Sequence, residues 1–580
     1  MVKGVYMKKC IITLICLIAL NAYAKSTIAD YPVRFAIIGD RTGSAQPGVY
    51  EQIVLEVERL KPDFVLTVGD AIQGYSDDSV AIKQEWEEYK NIISKLSMPI
   101  YFSPGNHDIT TDSMLPFYER YIGIPYYSFD VKGLHFIVLD VSRWEKSSEL
   151  PPGQLDWLIN DLKKNQKAIY TIVFYHKPFW ADEIASGKPD TLHSIFRNYG
   201  VDAVFNGHTH TYFSGKFDDI MYTDVSTSGG AGDAGPTGIL YHFTWVTINK
   251  NGISIAPIKF NSVFPWDDVT ISDVMTINKI YNSGAAFEKP VFVQDDFSVT
   301  DTLVTIKLNN PNSEIALEDT LHWTMSEGWS IVPKAYLVKV LPNKNNTYNF
   351  SIKNKKKLYP VPEFSIKFPY AKDKTYEIKK PLPVARKTYC YRATMPPVID
   401  GKIAEPLWQK PVSKLFSPDG SQMKIDSAYF YFAYDENNIY VAALCKESKM
   451  DEIATKASEH DGAVYGEDCV GYFFIPNRDT GIIYQIYFNP NGIVFDQKVT
   501  DNGNNADREW NGNYEVKTFK GNNYWSIEAR IPLDQLQTTA TAGQEWGINF
   551  RRKQKRLNSA ADWQVPIQYD PKSFGSLIMK

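Results

Sequence analysis

Cysteine is scarce in this sequence, five in 580 residues, and two of them, Cys10 and Cys16, fall in an N-terminal apolar stretch. The other three, Cys390, Cys445 and Cys469, are an odd number confined to the C-terminal third, so neither a disulfide framework nor a thiolate metal site is implied. Basic charge is not in excess either. The 62 Lys and Arg against 67 Asp and Glu leave a formal charge of −5, a poor balance for holding polyanions such as nucleic acids. Low-complexity tracts are absent, and 44% hydrophobic with 14% aromatic residues is the composition of a folded chain. The leading apolar stretch, Cys10 to Leu20, falls short of the roughly 20 residues that span a bilayer. Preceded by Lys8 and Lys9 and followed by Ala22-Tyr23-Ala24, it reads as a secretory leader over residues 1–24, cleaved after Ala24, which places the mature protein in the periplasm or outside the cell.

At about 150 residues per domain, the length predicts roughly three or four domains. From Val33 to Ile258, apolar strand-like runs alternate with amphipathic helices, Ile82 to Leu96 and Gln154 to Lys164 among them; such alternation predicts a layered α/β domain, bounded here at 25–275. Near Phe264 to Glu288 the rhythm breaks. Residues 285–385 then give short alternating strands such as TLVTIKL and YNFSIKN between Asn and Pro turns, the pattern of a small antiparallel β-sandwich. KKPLPVARK reads as an extended linker. Residues 390–580 resume with longer strands and with hairpins over Glu436-Asn437-Asn438 and Pro490-Asn491-Gly492, predicting a second antiparallel sandwich.

Five short segments of the α/β region end in side chains able to hold a metal: IIGDRT at Asp40, TVGDAI at Asp70, PGNHD at Asn106, FYHKP at His176, and NGHTH at His208 and His210. Four follow a run that reads as a buried strand, and the fifth follows the shorter PIYFSP. In an α/β sheet, ligands collect beyond the carboxyl ends of the strands, where residues distant in sequence converge. Taken singly each motif is weak: an Asp after a strand is often a helix cap, and a buried His is often a core residue. Together they carry four of the nine histidines. Their carboxylate, imidazole and amide donors, without thiolate, suit zinc, manganese or iron.

In this order the motifs resemble the calcineurin-like metallophosphoesterase superfamily over about Val33 to Ile258. The resemblance implies a four-layer αββα sandwich and two divalent metal ions. Asp70 would bridge them, Asn106, His176 and His208 would complete one site, and Asp40 and His210 would belong to the other. A water between two cations would become the hydroxide that attacks phosphorus. By the same resemblance His107 would stabilise the phosphoryl group or protonate the leaving oxygen, and Asp108 would orient it. The family usually opens with Asp-x-His, whereas this chain has Asp40-Arg41-Thr42, which removes an imidazole from one ion. The purple acid phosphatase branch has a tyrosine three residues after the bridging Asp; Gln73 stands there, with Tyr75 two further on. Arg41 reads either as a clamp on the substrate phosphate or as a loop salt bridge. Tyr212 and Trp180 read as packing. Gly230-Ala-Gly232-Asp-Ala-Gly235 precedes a strand and reads as a loop beside the cleft, not a dinucleotide site.

The C-terminal segments PPVIDGKIAEPLWQK, DENNIYVA, GEDCVGYFF, YWSIEARIPLDQL and FGSL resemble the family 9 carbohydrate-binding module. That resemblance implies polysaccharide or cell-surface glycan as a partner, gripped by aromatic faces. Trp510 and Trp563 are the candidates, with Trp408 and Trp525 assigned to the core. The expectation is therefore an exported, metal-dependent hydrolase of phosphate mono- or diesters with a glycan-tethering tail. The alternative is a glycan-binding or adhesive protein whose phosphoesterase-like domain lost catalysis with the imidazole missing at Thr42.

Overall fold

A computed structural model describes residues 32–580 except 77, 233–238, 295, 356, 409 and 566–568. The expected leader and Asp233, Ala234 and Gly235 of the glycine-rich stretch lie outside the described residues. The chain divides into two compact units, residues 1–278 and 279–580.

In the first unit the chain runs β1 (Val33–Ile38), α1 (Val49–Leu60), β2 (Phe64–Thr67), α2 (Ser79–Ile93), β3 (Ile100–Phe102), α3 (Leu115–Tyr121), β4 (Tyr127–Val131) and β5 (Leu134–Val138). It continues with α4 (Pro152–Lys164), β6 (Thr171–Phe174), α5 (Phe179–Asp182), α6 (Thr191–Tyr199), β7 (Ala203–Asn206), β8 (Phe213–Phe217) and β9 (Ile220–Asp224). Strands β10 (His242–Asn249), β11 (Gly252–Lys259) and β12 (Ser262–Val263) close it, followed by helix α7 (Ile271–Ser283). One sheet has the order β12-β11-β10-β1-β2-β3 and the other β4-β5-β6-β7-β9-β8. Within them β1, β2 and β3 are parallel, as are β5, β6, β7 and β9.

Every residue of β2, β5, β6 and β7 is buried, as expected of parallel strands covered on both faces. Their inward residues meet in a core containing Phe35, Phe64, Phe136, Phe174 and Phe205. Phe35 stacks on Phe64 at 4.9 Å and Phe174 on Phe205 at 5.2 Å; burying each such ring is worth about 1.5–3 kcal/mol. The outer face of the first sheet packs against α1, α2 and α3 through Val54, Trp86 and Tyr118. That of the second packs against α4 and α6 through Leu158 and Phe196. This is the αββα sandwich.

Local signals set the helix ends. Asp78 caps α2 by accepting from the Val80 and Ala81 N–H groups, and Asp190 caps α6 through His193 N–H. Helix α7 occupies the stretch read from sequence as a break. Thr270 and Asp273 cap each other reciprocally, and Ile271, Val274, Ile277 and Ile280 recur at helical spacing.

The second unit begins with two four-stranded sheets. One joins 285–287, 299–309, 345–354 and 329–332; the other joins 335–340, 317–324, 363–371 and 374–381. Their facing residues include Ile306, Ile331, Phe350, Leu321, Phe364 and Phe368, all buried. The segment read as a linker is instead built into sheets. Val384–Ala385 pairs with Val291–Phe292, and Lys387–Arg392 pairs with Gly575–Met579 and, at its end, with Ala428–Tyr434. Arg386 between them donates to the carbonyls of Lys414 and Trp563, contacts that the extended Pro-rich composition did not reveal. The remaining strands form the larger sandwich, packed around Phe430, Tyr472, Trp525, Trp546 and Phe550.

Candidate metal centre and phosphoester site

Asp40, Asp70 and Asn106 follow β1, β2 and β3 of one sheet, while His176, and His208 with His210, follow β6 and β7 of the other. The structure brings all six together. Asp70 Oδ2 lies 3.2 Å from His176 Nε2, and Asp40 Oδ2 lies 3.2 Å from His210 Nε2. Asn106 Oδ1 is 2.9 Å from His176 Nε2 and 2.8 Å from His208 Nδ1. His176 Nδ1 is 2.8 Å from the Val68 carbonyl, to which it donates, and Nε2 is turned into the site, where it could serve as a ligand.

The loops approach so closely that side chains are excluded between them. A Cβ on Gly105 would stand 2.1 Å from Asp70 Oδ1, and one on Gly207 would stand 2.3 Å from Asp40 Oδ1. Asp70 itself adopts φ 55° and is held by His107 N–H, which donates to Oδ1 at 2.9 Å.

Charge is concentrated here away from water. Burial opposes ionisation of Asp70, but the neighbouring His176 outweighs it and holds the carboxyl down to about 2. Burial likewise opposes the His176 imidazolium, and the Asp70 and Asp40 carboxylates push its pKa up to about 9. Burial, reinforced by His176, depresses His208 to about 3. Asp40 is fully buried and its Oδ1 has no hydrogen-bond partner among the described residues, an arrangement that costs stability unless a cation or proton is supplied. Two trios of donor atoms, Asp70/His176/His208 and Asp40/Asp70/His210, each lie within 4.8 Å of one another. Sharing Asp70, with oxygen and imidazole donors only, they fit divalent metal ions of the zinc, manganese or iron kind.

The flanking residues differ from expectation. Asp108 does not orient His107: its buried carboxylate accepts from Ala71 N–H (2.8 Å), Ile72 N–H (3.2 Å) and Gly105 N–H (2.9 Å), tying the two ligand loops together. Burial and the charge of Asp70 push it up to about 7. His107 Nδ1 instead lies 2.6 Å from the Gln73 carbonyl, with Nε2 4.0 Å from Asp70 Oδ2. Arg41, expected as a catalytic residue by the clamp reading, pairs with Glu88 and donates to the Ala71 carbonyl, which is the loop salt bridge. The Thr42 hydroxyl donates to the Asp70 carbonyl at 3.0 Å and so braces the backbone. Tyr75 reaches the site indirectly: its hydroxyl accepts from Asn106 Nδ2 at 2.9 Å, and its ring meets His107 edge-on at 4.7 Å. Trp180 and Tyr212 are core residues.

Sequence reading missed the bracing from the end of β9. Thr227 Oγ1 donates to the Asp40 carbonyl, Ser228 Oγ accepts from Gly39 N–H, and Asp224 accepts from Thr209 Oγ1. The only signal was the polar set Asp224, Ser226, Thr227 and Ser228 at and just past the end of β9.

Fold and site together define a metallophosphoesterase domain. Residues 33–212 match the family model described as calcineurin-like phosphoesterase, and residues 399–580 match that of the carbohydrate family 9 binding domain-like proteins. The chain is similar to purple acid phosphatase 15 of Arabidopsis thaliana, 25% identical over 231 residues that make up 32% of this chain and 42% of that protein. It is also similar to the human serine/threonine-protein phosphatase CPPED1, 28% identical over 29% of this chain and 61% of that protein. The chain thus spans about half the length of these two relatives. Purple acid phosphatases are among the relatives although Gln73 replaces that branch's tyrosine. Among solved structures, a dimetal phosphatase from Danio rerio aligns with 41% of this chain and 100% of its own at 14% identity and a TM-score of 0.32. A family 9 carbohydrate-binding module from Caldicellulosiruptor kristjanssonii in complex with glucose aligns with 33% of this chain and 95% of its own at 21% identity and a TM-score of 0.25.

In the C-terminal sandwich the two aromatic candidates separate. Trp563 is buried, stacked on Phe550 at 5.0 Å and covered by Arg386, so the sugar-stacking expectation fails there. Trp510 is half-buried between Tyr484 and Lys498. Trp408 and Trp525 lie in the core.

Proposed function

We propose that the chain is an exported phosphoric ester hydrolase acting on phosphate mono- or diesters, held near glycan by its C-terminal module. The convergence of Asp40, Asp70, Asn106, His176, His208 and His210 carries this reading. These residues would hold two divalent ions, which when bound supply charge neutralisation for a phosphoryl group and acidify a coordinated water. Asp70, common to both donor trios, would offset the repulsion between two cations. Asn106 is aimed by Tyr75, so its amide oxygen, not its nitrogen, faces the imidazoles. His107, anchored through Nδ1 on Gln73, keeps Nε2 available at the rim of the site to hold or return a proton at the leaving oxygen. Half-buried Trp510 is the remaining aromatic candidate for contact with a sugar. The leader-like N-terminus supports export.

The test is a chelated, purified chain assayed on an aryl phosphate and a bis-aryl phosphate, with manganese, zinc and iron added back singly. Activity should return with at least one ion and fall by about 10²–10³ or more in Asp70→Ala. Hydrolysis of neither ester with any ion would refute the enzyme reading, and retention on polysaccharide in that case would favour the adhesive alternative. Adding mononucleotides, cyclic nucleotides and phosphorylated sugars to the panel then assigns the substrate class.

A further inference from the structure

A separate group of metal-binding side chains lies in the larger sandwich of the second unit. Asp496, on the strand Val494–Thr500, is fully buried. Its Oδ2 accepts from Gly512 N–H at 2.7 Å and from the Tyr514 hydroxyl at 2.6 Å. Its Oδ1 has no hydrogen-bond partner among the described residues and faces His460 Nε2 at 3.5 Å. His460 Nδ1 lies 3.3 Å from Asp461 Oδ2, while Asp461 Oδ1 receives the Asp496 N–H at 3.5 Å. One donor atom from each of His460, Asp461 and Asp496 lies within 4.8 Å of the other two, and the first two residues are open to solvent.

An imidazolium lodged between two carboxylates would account for the grouping only weakly, since charge-assisted hydrogen bonds close to about 2.7–2.9 Å. The observed 3.3 and 3.5 Å are longer. An imidazole gives one ion a single nitrogen, so only one of these contacts can be an edge of the site: the 3.5 Å between Nε2 and Asp496 Oδ1 is close to the roughly 3.4 Å between two donors on a tetrahedral ion at about 2.1 Å, and Asp461 brings its carboxylate to the same group. A cation would also satisfy the buried Oδ1, and Tyr514 and Gly512 already orient the carboxylate from behind as outer partners of a ligand do. We propose that His460, Asp461 and Asp496 form a mononuclear site for a divalent transition ion, with one imidazole and two carboxylate ligands and an open position for water. The ion pins the irregular loop around His460 onto the sheet 35 residues further along the chain, so its effect is on the stability of this sandwich and is independent of the phosphoester site.

The experiment uses the full chain carrying Asp40→Ala and Asp70→Ala, which removes the N-terminal ligand pair, stripped with chelator and titrated with zinc by calorimetry and thermal unfolding. One zinc should bind and raise an unfolding midpoint by several degrees. His460→Gln, at an exposed position, and Asp496→Asn should each abolish both effects, and Tyr514→Phe should weaken binding about tenfold. Absence of stoichiometric zinc, or zinc binding unchanged in His460→Gln, overturns the site. If Asp496→Asn fails to fold, His460→Gln alone decides.

Discussion

Replacing Asp108 by alanine separates two roles that the sequence alone could not distinguish. The carboxylate accepts three backbone N–H groups at 2.8, 3.2 and 2.9 Å. Removing it strands three buried donors, each worth about 1–3 kcal/mol. Two terms reduce the loss: the side chain no longer carries a desolvated charge, and water can enter the vacated volume. A net destabilisation of about 3 kcal/mol follows. For a unit of this size that lowers the unfolding midpoint by about 6–12 °C, at roughly 2–4 °C per kcal/mol. His107→Gln is the control, because among the described residues the imidazole makes one side-chain hydrogen bond, to the Gln73 carbonyl; its midpoint should stay within about 2 °C while turnover collapses. The assay is thermal unfolding of chelated protein beside steady-state hydrolysis. If Asp108→Ala melts with the wild type yet loses turnover as His107→Gln does, the carboxylate serves the imidazole and the loop-tie reasoning is wrong.

Tyr75→Phe frees the Asn106 amide to rotate and should weaken metal affinity about tenfold, read by competition with a chromogenic chelator; unchanged affinity would make Tyr75 a bystander. Burial disfavours a charged His135, but its hydrogen bonds to Asp161 and Asp130 outweigh burial and raise its pKa above 6.5. Its stabilising contribution is therefore complete below pH about 6.5 and fades as pH rises through the folded value, so the midpoint difference between wild type and His135→Asn should shrink from pH 5.5 to pH 9, and a constant difference would contradict it. Trp510→Ala should remove retention on polysaccharide while leaving the fold intact. Trp563→Ala should cost about 3–5 kcal/mol of stability, checked by denaturant titration; equal effects of the two on folding would erase the distinction between surface and core.

The ligands were legible because each lies two to four residues past a strand-like, mostly apolar run, and a parallel strand followed so closely by Asp, Asn or His announces both its burial and its direction. Their supports were not. Asp108 is adjacent to His107 in sequence, yet the tight turn after Gly105 sends the carboxylate back to Ala71 and Ile72, which no local pattern encodes. Arg41 likewise lies beside a ligand, but Glu88, one face of a helix away, captures its guanidinium. Helix α7 was obscured by the surrounding Asn and Ser, although its isoleucine spacing and its Thr270–Asp273 cap were present. Trp563 misled because its polar neighbours in sequence, Asp562 and Gln564, are themselves buried. The layered α/β character and the two sandwiches followed from periodicity and turn residues, which report faces and reversals but not which strand closes against which; the αββα arrangement came only with the family resemblance.

Three of the six donors belong to one sheet and three to the other, so neither sheet by itself possesses a working clasp. Whatever cation is captured stitches the halves at their shared rim, remote from the phenylalanines that glue their faces. Damage to that aromatic seam should then surface first as a leaky metal grip, long before any loss of regular structure, and the chemistry becomes a gauge of how tightly the sandwich is shut.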